Sequence, residues 1–460
     1  MADDPQAPPT ALTRSLGVLG VLFLTLSVTT PASSVFVIVP GMLQVAGTGA
    51  VWATLIAAVV CVATGYIYAE LSSAWPVAGG EYVMVAHTLG PLAGFVMLGI
   101  NVFNNLIFLP VAGLGISEVL SGVLPGLPQV GTAMAVVGAC TLLALLNIRV
   151  NAWITGLFLL VEVATLVIVS ACGLVAAQRS PVAFLTDPVV AAGAGLTPAT
   201  FTGIGVAASI AIFAFNGYGA AVYFGEEMHE APKRIARSVM LALIFTLLLE
   251  GVPLVAGLMG ALDLPAFVAS PNPFGELVAA VAGPQVSGAV ALGVALAIVN
   301  AIIAWVLACA RFFYGTARDG SWGRPLDGWM TLIHSKWQSP WAGTLIVGVV
   351  GMVLCLLPLR LLEVWSGAGL IAIYAGIALA AVVGRRTGAT GHAAYRMPWY
   401  PLAPLVTFAA LAGIAWAAWL DPDEGRPAIL ATCAQIAIAA GYYWLVLRRK
   451  GWTAVVPSHP

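Results

Sequence analysis

The chain has 460 residues, of which 61% are hydrophobic and only 8% are charged, whereas a soluble domain carries roughly 25% charged residues. So few charges cannot cover a water-exposed surface, so the composition excludes a soluble globular protein and predicts apolar surface that faces lipid. A formal net charge of -1 gives no indication of nucleic-acid binding.

Apolar runs of about 20 residues recur along the chain, and each is long enough to cross a bilayer as a helix. The first five are predicted at 16–46, 50–70, 90–117, 130–147 and 151–177. The others are predicted at 200–228, 236–260, 284–315, 341–358, 361–383, 401–420 and 427–447. A shorter run at 271–282 is expected in an external loop. The pattern predicts an all-α polytopic membrane protein with about twelve transmembrane helices.

The positions of lysine and arginine predict the orientation, because these residues concentrate on the cytoplasmic side of membrane proteins. With both termini in the cytoplasm, 15 of the 18 Lys and Arg residues fall in cytoplasmic loops and tails. Arg179, Arg360 and Arg426 fall on the outer side. We therefore expect a multi-pass protein of the cytoplasmic (inner) membrane with cytoplasmic N- and C-termini.

Two predicted helices carry polar breaks. In the first span the stretch 28–34 (VTTPASS) places Pro31, which lacks a backbone donor, among four hydroxyl groups. In the sixth span the stretch 215–219 (FNGYG) combines two glycines with Asn216. Either each is an ordinary kink, or the two breaks occupy corresponding positions of two five-helix halves around a midplane substrate site. The second interpretation is favoured because both breaks are polar and lie five spans apart.

The chemistry of such breaks favours a zwitterionic substrate. Freed backbone N–H groups attract a carboxylate, and freed carbonyl groups attract an ammonium. Asn104 and Asn300 either line the cavity or join helices by hydrogen bonds, and Phe215 and Tyr218 are either aromatic gates or packing residues. The predicted substrate-binding residues are Thr30, Ala32, Ser33, Ser34, Asn104, Phe215, Asn216, Gly217, Tyr218 and Asn300.

Three segments resemble the amino acid–polyamine–organocation (APC) superfamily of permeases. They are 69–83 (AELSSAWPVAGGEYV), 213–239 (FAFNGYGAAVYFGEEMHEAPKRIARSV) and 311–320 (RFFYGTARDG). With the span pattern, the resemblance covers residues 14–450. One departure is that Ala32-Ser33-Ser34 stands where the family usually has a GSG sequence. Serines there narrow the approach to the backbone but add hydroxyl donors.

The resemblance implies a LeuT-like fold in which helices 1–5 and 6–10 form inverted repeats with broken helices 1 and 6. It also implies alternating access of an amino acid or amine across the cytoplasmic membrane. The corresponding regions are a cytoplasmic tail at 1–15, a first repeat at 16–177, a second repeat at 200–383, two peripheral helices at 400–448 and a second tail at 449–460.

Glu162, in the fifth predicted span, is the candidate for ion coupling, because an ionisable group at membrane depth is costly. By the resemblance it matches the position where several proton-coupled relatives carry a lysine. It either takes up and releases a proton or makes a structural hydrogen bond to the backbone of the first or eighth helix. The resemblance also favours protons over sodium. A LeuT-type sodium site usually takes hydroxyl ligands from the eighth helix, and the middle of the eighth span here (VNAIIAWVLACA) has no serine or threonine.

Three further carboxylates are candidates for roles in gating or proton transfer. Glu226 and Glu227 end the sixth span beside a basic loop, so they are expected to brace an inner gate through ion pairs with Arg or Lys. Glu250 is either a second relay carboxylate or a structural residue near the outer boundary, and the structural interpretation is favoured.

No sequence motif of a hydrolase, a zinc enzyme or a nucleotide-binding protein is present, so we expect a transporter without cofactor or metal and not an enzyme. A channel is the other membrane alternative. Neither break contains an acidic side chain, which favours a neutral or apolar amino acid over a polyamine or organic amine. The expected partners are an amino acid or amine, protons and membrane lipid. The sequence leaves open uniport, proton symport or exchange, and it leaves open the oligomeric state.

Overall fold

The computed structural model describes residues 12, 14–120, 124, 126–146, 148–193, 195–423 and 425–456. The described part of the chain is helical apart from loops and one antiparallel hairpin. In that hairpin β1 (Val189–Ala192) pairs with β2 (Gly195–Pro198), and Val189 lies opposite Pro198.

The helices of the first part of the chain contain the first break. A π-helical segment (Ser34–Ile38) separates α2 from α3. The helices are α1 (Val18–Thr29), α2 (Pro31–Ser33), α3 (Val39–Ala46), α4 (Ala50–Ala74), α5 (Glu81–Leu89), α6 (Pro91–Leu120), α7 (Gln129–Ala144), α8 (Ile148–Val175) and α9 (Ala183–Thr186).

The second part contains the second break, where a 3₁₀ helix (Tyr218–Glu227) follows α10. The helices are α10 (Phe201–Phe215), α11 (Ala231–Gly260), α12 (Leu264–Ala269), α13 (Pro273–Ala282), α14 (Pro284–Arg318), α15 (Arg324–Met330), α16 (Trp341–Leu354), α17 (Leu359–Thr387), α18 (Leu402–Leu420) and α19 (Gly425–Tyr442).

The helices have the lengths and composition of membrane spans. Among the described residues, nine helical segments are long and apolar enough to cross a bilayer, and one of them, Val18–Ala74, contains two predicted spans. Two more predicted spans coincide with the shorter apolar helices α7 and α16. The prediction of an all-α polytopic membrane protein is confirmed, while the inverted repeat stays a prediction.

The run at 271–282, which the sequence assigns to a loop, contains the ten-residue helix α13. Its start is well specified locally. The Asn272 side chain accepts a hydrogen bond from the backbone N–H of Gly275 at 3.2 Å, and Pro273 occupies the first helical position, where it costs no hydrogen bond.

Helix α14 lies at the centre of the molecule, and its residues from Asn300 to Ala317 are buried. Large apolar side chains cover the outside instead: Trp153 is 77% exposed, Leu160 68% and Ile438 72%. A soluble protein does not expose apolar side chains on this scale. The exposed apolar belt is therefore the surface expected to face lipid.

Helices α8 and α11, which carry Glu162 and Glu250, cross at glycines. A Cβ atom added to Gly173 would lie 2.3 Å from the backbone oxygen of Ala256, and one added to Gly260 would lie 2.4 Å from the oxygen of Gly173. Small residues at such crossings let helix backbones approach closely in membranes. Close packing therefore joins α8 to α11 at this crossing.

Candidate substrate and coupling site

The first break lies where the sequence predicts it. Helix α1 ends at Thr29, and Thr30 adopts a left-handed conformation with φ 44° and ψ 69°. A β-branched residue rarely adopts positive φ, so the surroundings must hold it there. The Thr30 carbonyl accepts a hydrogen bond from the Ser34 N–H at 3.1 Å. The chain thus turns for one residue and continues through α2 into the π-helical segment.

The second break also lies in the predicted stretch, and it touches the first. Helix α10 ends at Phe215, Asn216 is extended, and Gly217 has φ 123°. A Cβ atom on Gly217 would lie 2.8 Å from the Cα of Thr29. Glycine is required here both by the positive φ and by this close approach. The two breaks therefore form one continuous region of irregular backbone.

Glu162 binds the first break directly. Its Oε1 accepts hydrogen bonds from the Ala32 N–H at 2.8 Å and from the Thr30 hydroxyl at 3.3 Å, and the side chain is fully buried. The structural hydrogen bond to the first helix is present, and a role in proton transfer stays a prediction. The Ala32 amide, which the sequence assigns to a substrate carboxylate, is occupied by a carboxylate of the protein itself.

Ser34 and Glu250 lie on the other side of the first break. The Ser34 hydroxyl donates to the Ala214 carbonyl at 3.1 Å, which connects the two broken helices. Glu250 is 2% exposed and lies beside Ser34, but neither of its carboxylate oxygens has a hydrogen-bond partner of good geometry among the described residues. Glu250 is therefore an interior residue beside the break, and not one at an exposed helix end.

A small polar cavity adjoins the second break. It encloses about 20 Å³, which is room for roughly one water molecule. Of the predicted site residues, Asn104, Asn216 and Gly217 line it. The other lining residues are Tyr68, Glu81, Asn101, Asn105, Gly219, Ala220, Tyr223, Trp305, Leu370 and Ile373.

Glu81 is the polar centre of this cavity, and the sequence analysis did not identify it. Its Oε1 accepts from the Tyr68 hydroxyl at 2.8 Å, and its Oε2 accepts from the Tyr223 hydroxyl at 2.8 Å and the Asn101 amide at 3.0 Å. Gly80 permits this arrangement, because a Cβ atom there would lie 2.5 Å from the Tyr223 ring. The feature of the sequence that could have indicated Glu81 is its position directly after two glycines.

Other predicted site residues lie outside the cavity lining. The Asn300 amide donates to the Ser27 hydroxyl at 2.9 Å and to the Thr155 carbonyl at 3.3 Å, so it joins helices. The Tyr218 ring packs edge-on against Tyr68 at a centroid distance of 5.8 Å. Phe215 borders a separate apolar pocket between α4 and α11, and Ser33 is buried within α2. Substrate contact by these residues stays a prediction.

Glu226 and Glu227 form the expected ion pairs with arginine. Arg318 donates to Glu226 at 2.8 and 3.0 Å, and Arg311 binds Glu227 through two nitrogen atoms. Both glutamates and Arg311 are buried. We call these four residues the arginine-paired cluster. It lies at the end of the 3₁₀ helix that begins at the second break, and its role in gating stays a prediction.

Comparisons of the sequence with known proteins identify related transporters. Residues 16–439 match the amino acid permease family. An uncharacterized transporter of Mycobacterium tuberculosis is 27% identical over 349 residues, which cover 75% of this chain and 74% of that protein. The branched-chain amino acid permease BcaP of Bacillus subtilis is 23% identical, covering 79% and 81%. The low-affinity putrescine importer PlaP of Escherichia coli is 22% identical, covering 63% of each chain. These relatives are named for transport, and none is named as an enzyme.

Proposed function

We propose, from the premise that this chain belongs to the amino acid permease family, that it is a secondary active transporter of an amino acid or related amine. It works by alternating access across the cytoplasmic membrane and is coupled to protons. The observation that carries the proposal is the contact between the two broken helices beside a polar cavity.

Irregular backbone within a membrane is tolerated only where protein or water satisfies its polar groups. Here protein groups do so, since Glu162 binds the Ala32 N–H and Ser34 binds the Ala214 carbonyl. These bonds join α8 and α10 to the first break. A change in any of them alters how the broken helices pack, which supports a site that opens to each side in turn.

Glu162 supports coupling to protons. An ionised Glu162 accepts the Ala32 N–H and the Thr30 hydroxyl with one oxygen, while its Oε2 has no hydrogen-bond partner among the described residues. Protonation weakens the carboxylate as an acceptor. Proton uptake therefore loosens the attachment of α8 to the break and frees the Ala32 amide.

The observations that bear on the substrate point to two different classes of compound. The breaks contain no acidic side chain, which favours a neutral or apolar amino acid, and one relative is named as a branched-chain amino acid permease. Another relative is named as a putrescine importer, and the cavity contains Glu81. An amine transporter or an amino acid exchanger is therefore the second candidate.

Uptake into proteoliposomes tests the function. The purified chain is reconstituted, and radiolabelled leucine, lysine and putrescine are offered with and without an imposed proton gradient. We expect saturable uptake of at least one compound that the gradient accelerates. Saturable uptake at the same rate with and without the gradient would exclude proton coupling and favour exchange or uniport. Unsaturable flux favours a channel and overturns the proposal.

Replacing Glu162 with glutamine tests the coupling residue. Glutamine keeps an oxygen that accepts the Ala32 N–H but cannot exchange a proton, so we expect uptake to continue with its pH dependence lost. The measurement is initial uptake rate as a function of pH. Glu276→Gln in α13, an exposed position, is the matched control and should retain the wild-type profile. An unchanged pH profile in Glu162→Gln would leave Glu162 with a structural role only.

A further inference from the structure

We propose that Glu81 binds the ammonium group of the substrate, so that the site selects primary amines whether or not they carry an α-carboxylate. The inference rests on the proposed transport function and specifies which chemical group the cavity recognises.

Hydrogen bonds from neutral groups offset part of the cost of burying the charged form of Glu81. Three neutral donors point at its two oxygens: the Tyr68 and Tyr223 hydroxyls and the Asn101 amide, all at 2.8 to 3.0 Å. The Tyr223 oxygen also accepts from the Asn105 amide at 3.3 Å, which leaves its proton free for Glu81. Donors arranged in this way stabilise the charged form of a carboxylate.

The partners of Glu81 distinguish it from the glutamates that bind arginine. In the described part of the chain no arginine or lysine lies within 4 Å of its carboxylate, whereas Glu70, Glu226 and Glu227 each bind an arginine. Glu81 is only 4% exposed. A buried charge without a partner is costly unless another charge neutralises it. A cation that enters the cavity supplies that partner.

The cavity suits an ammonium group in size and lining. Its volume of about 20 Å³ holds a group the size of one water molecule. Tyr68, Tyr223 and Trp305 line it together with Glu81. Aromatic rings favour a bound cation, since ring faces attract positive charge. The remainder of the substrate requires movement of the surrounding helices.

The anion position at the first break is already filled. Glu162 accepts the Ala32 N–H at 2.8 Å, and Gly217, which lines the cavity, lies against Thr29 of that break. The region around the breaks thus presents three carboxylates, Glu81, Glu162 and Glu250, and among the described residues no arginine or lysine is bound to any of them. This excess of negative charge fits a substrate that is recognised through a positively charged group. A carboxylate on the substrate is then not required for binding.

Three compounds that differ in one charge each test this assignment. Leucine carries both charges, 3-methylbutylamine lacks the carboxylate, and N-acetylleucine lacks the ammonium. Binding to purified protein is measured by thermal shift, because a ligand stabilises the fold according to its occupancy, and inhibition of uptake gives the apparent affinity. We expect leucine and 3-methylbutylamine to bind and N-acetylleucine to fail.

The variant Glu81→Gln should weaken binding of both amines roughly ten- to hundredfold, the usual loss when a charged hydrogen-bond partner is removed. The exposed control Glu276→Gln should bind as the wild type does. Wild-type affinity in a folded Glu81→Gln protein, or binding of leucine with no binding of 3-methylbutylamine, overturns the proposal.

Should Glu81→Gln fail to fold, Tyr223→Phe replaces it. This variant keeps the ring that packs on Gly80 and removes one donor to Glu81, so amine affinity should fall with the melting temperature preserved. Unchanged affinity there overturns the proposal equally. If the wild-type protein neither binds nor transports any amino acid or amine, the transport function itself is refuted. If uptake is saturable and the Glu81 variant transports as the wild type does, only the ammonium site is refuted.

Discussion

Buried carboxylates occur in two regions of this molecule, and the regions differ in what neutralises them. In the arginine-paired cluster, Arg318 and Arg311 bind Glu226 and Glu227, and Glu70 is bound by Arg385 in the same manner. Around the breaks, Glu81, Glu162 and Glu250 are equally buried. Their described neighbours are backbone amides, hydroxyls, amide side chains and one another, and no arginine is among them.

The difference separates charges that hold the protein together from charges that are available to a ligand. A carboxylate that binds its own arginine has its charge neutralised, and breaking the pair leaves a buried charge behind. A buried carboxylate without an arginine partner can be neutralised instead by a proton or by a substrate cation. The same residue type therefore serves structure in one region and, as we propose, transport in the other.

The largest expected effect comes from breaking the fully buried ion pair. Arg311→Gln leaves Glu227 without its partner, and we expect unfolding to become easier by about 3–5 kcal/mol, the usual cost of an orphaned buried charge. The measurement is thermal unfolding of the purified protein in detergent. The double variant Arg311→Gln with Glu227→Gln removes both charges and should recover much of the loss. A double variant no more stable than the single one would show that the pair does not act as a unit.

A smaller effect is expected from Gly217→Ala, at the contact between the two breaks. Alanine at φ 123° is strained by about 1–3 kcal/mol, and its Cβ would lie 2.8 Å from the Thr29 Cα. We expect a modest drop in melting temperature and loss of saturable uptake, because the two breaks are forced apart. Gly413→Ala in α18, where an added Cβ meets nothing within 4 Å, is the control. Normal uptake in Gly217→Ala would show that the contact between the breaks is dispensable.

The smallest effect concerns Asp319, which follows α14 next to the arginine-paired cluster. Burial raises the pKa of Asp319 from its usual value of 3.8 to about 6, while the Tyr82 hydroxyl and Arg318 lower it and Glu226 raises it. The folded protein thus holds this proton more tightly than the unfolded chain does. Its contribution to stability is complete below the unfolded pKa and is lost as pH rises through the folded pKa.

Asp319→Asn should therefore flatten the change in melting temperature between about pH 4 and pH 6, the window between the two pKa values of Asp319. Asparagine keeps an oxygen for the Tyr82 hydroxyl, which donates to Asp319 at 2.8 Å, but loses the charge that faces Arg318. We expect a shift of only a few degrees. The measurement is the melting temperature across that pH range, and identical pH profiles for both proteins would remove Asp319 as their source.

The sequence alone determined the features that depend on local physics. A helix in lipid must satisfy its backbone within the segment, so long apolar runs predicted the helices and an all-α membrane protein. The same requirement makes Pro31 beside hydroxyl groups, and Asn216 beside Gly217, readable as breaks, and both lie where predicted. Ion pairs of Glu226 and Glu227 with Arg or Lys were expected from the sequence, but their partners, Arg318 and Arg311, belong to α14 and not to the neighbouring basic loop.

Only the tertiary structure decided which distant residues meet. Glu81 stands in a stretch between apolar runs, and it becomes the centre of a cavity because Tyr223, 142 positions away, and Asn101 point their donors at it. Asn300 and Asn104 are both polar residues within predicted spans, so the sequence could not distinguish them. In the structure the partners of Asn300 are Ser27 and Thr155. Hydropathy and residue spacing predict the properties of a single helix, and they do not predict which helices pack against it. The neutralisation of a buried charge depends on which helices pack together. The roles of the six glutamates that are buried among the described residues could therefore be separated only in three dimensions.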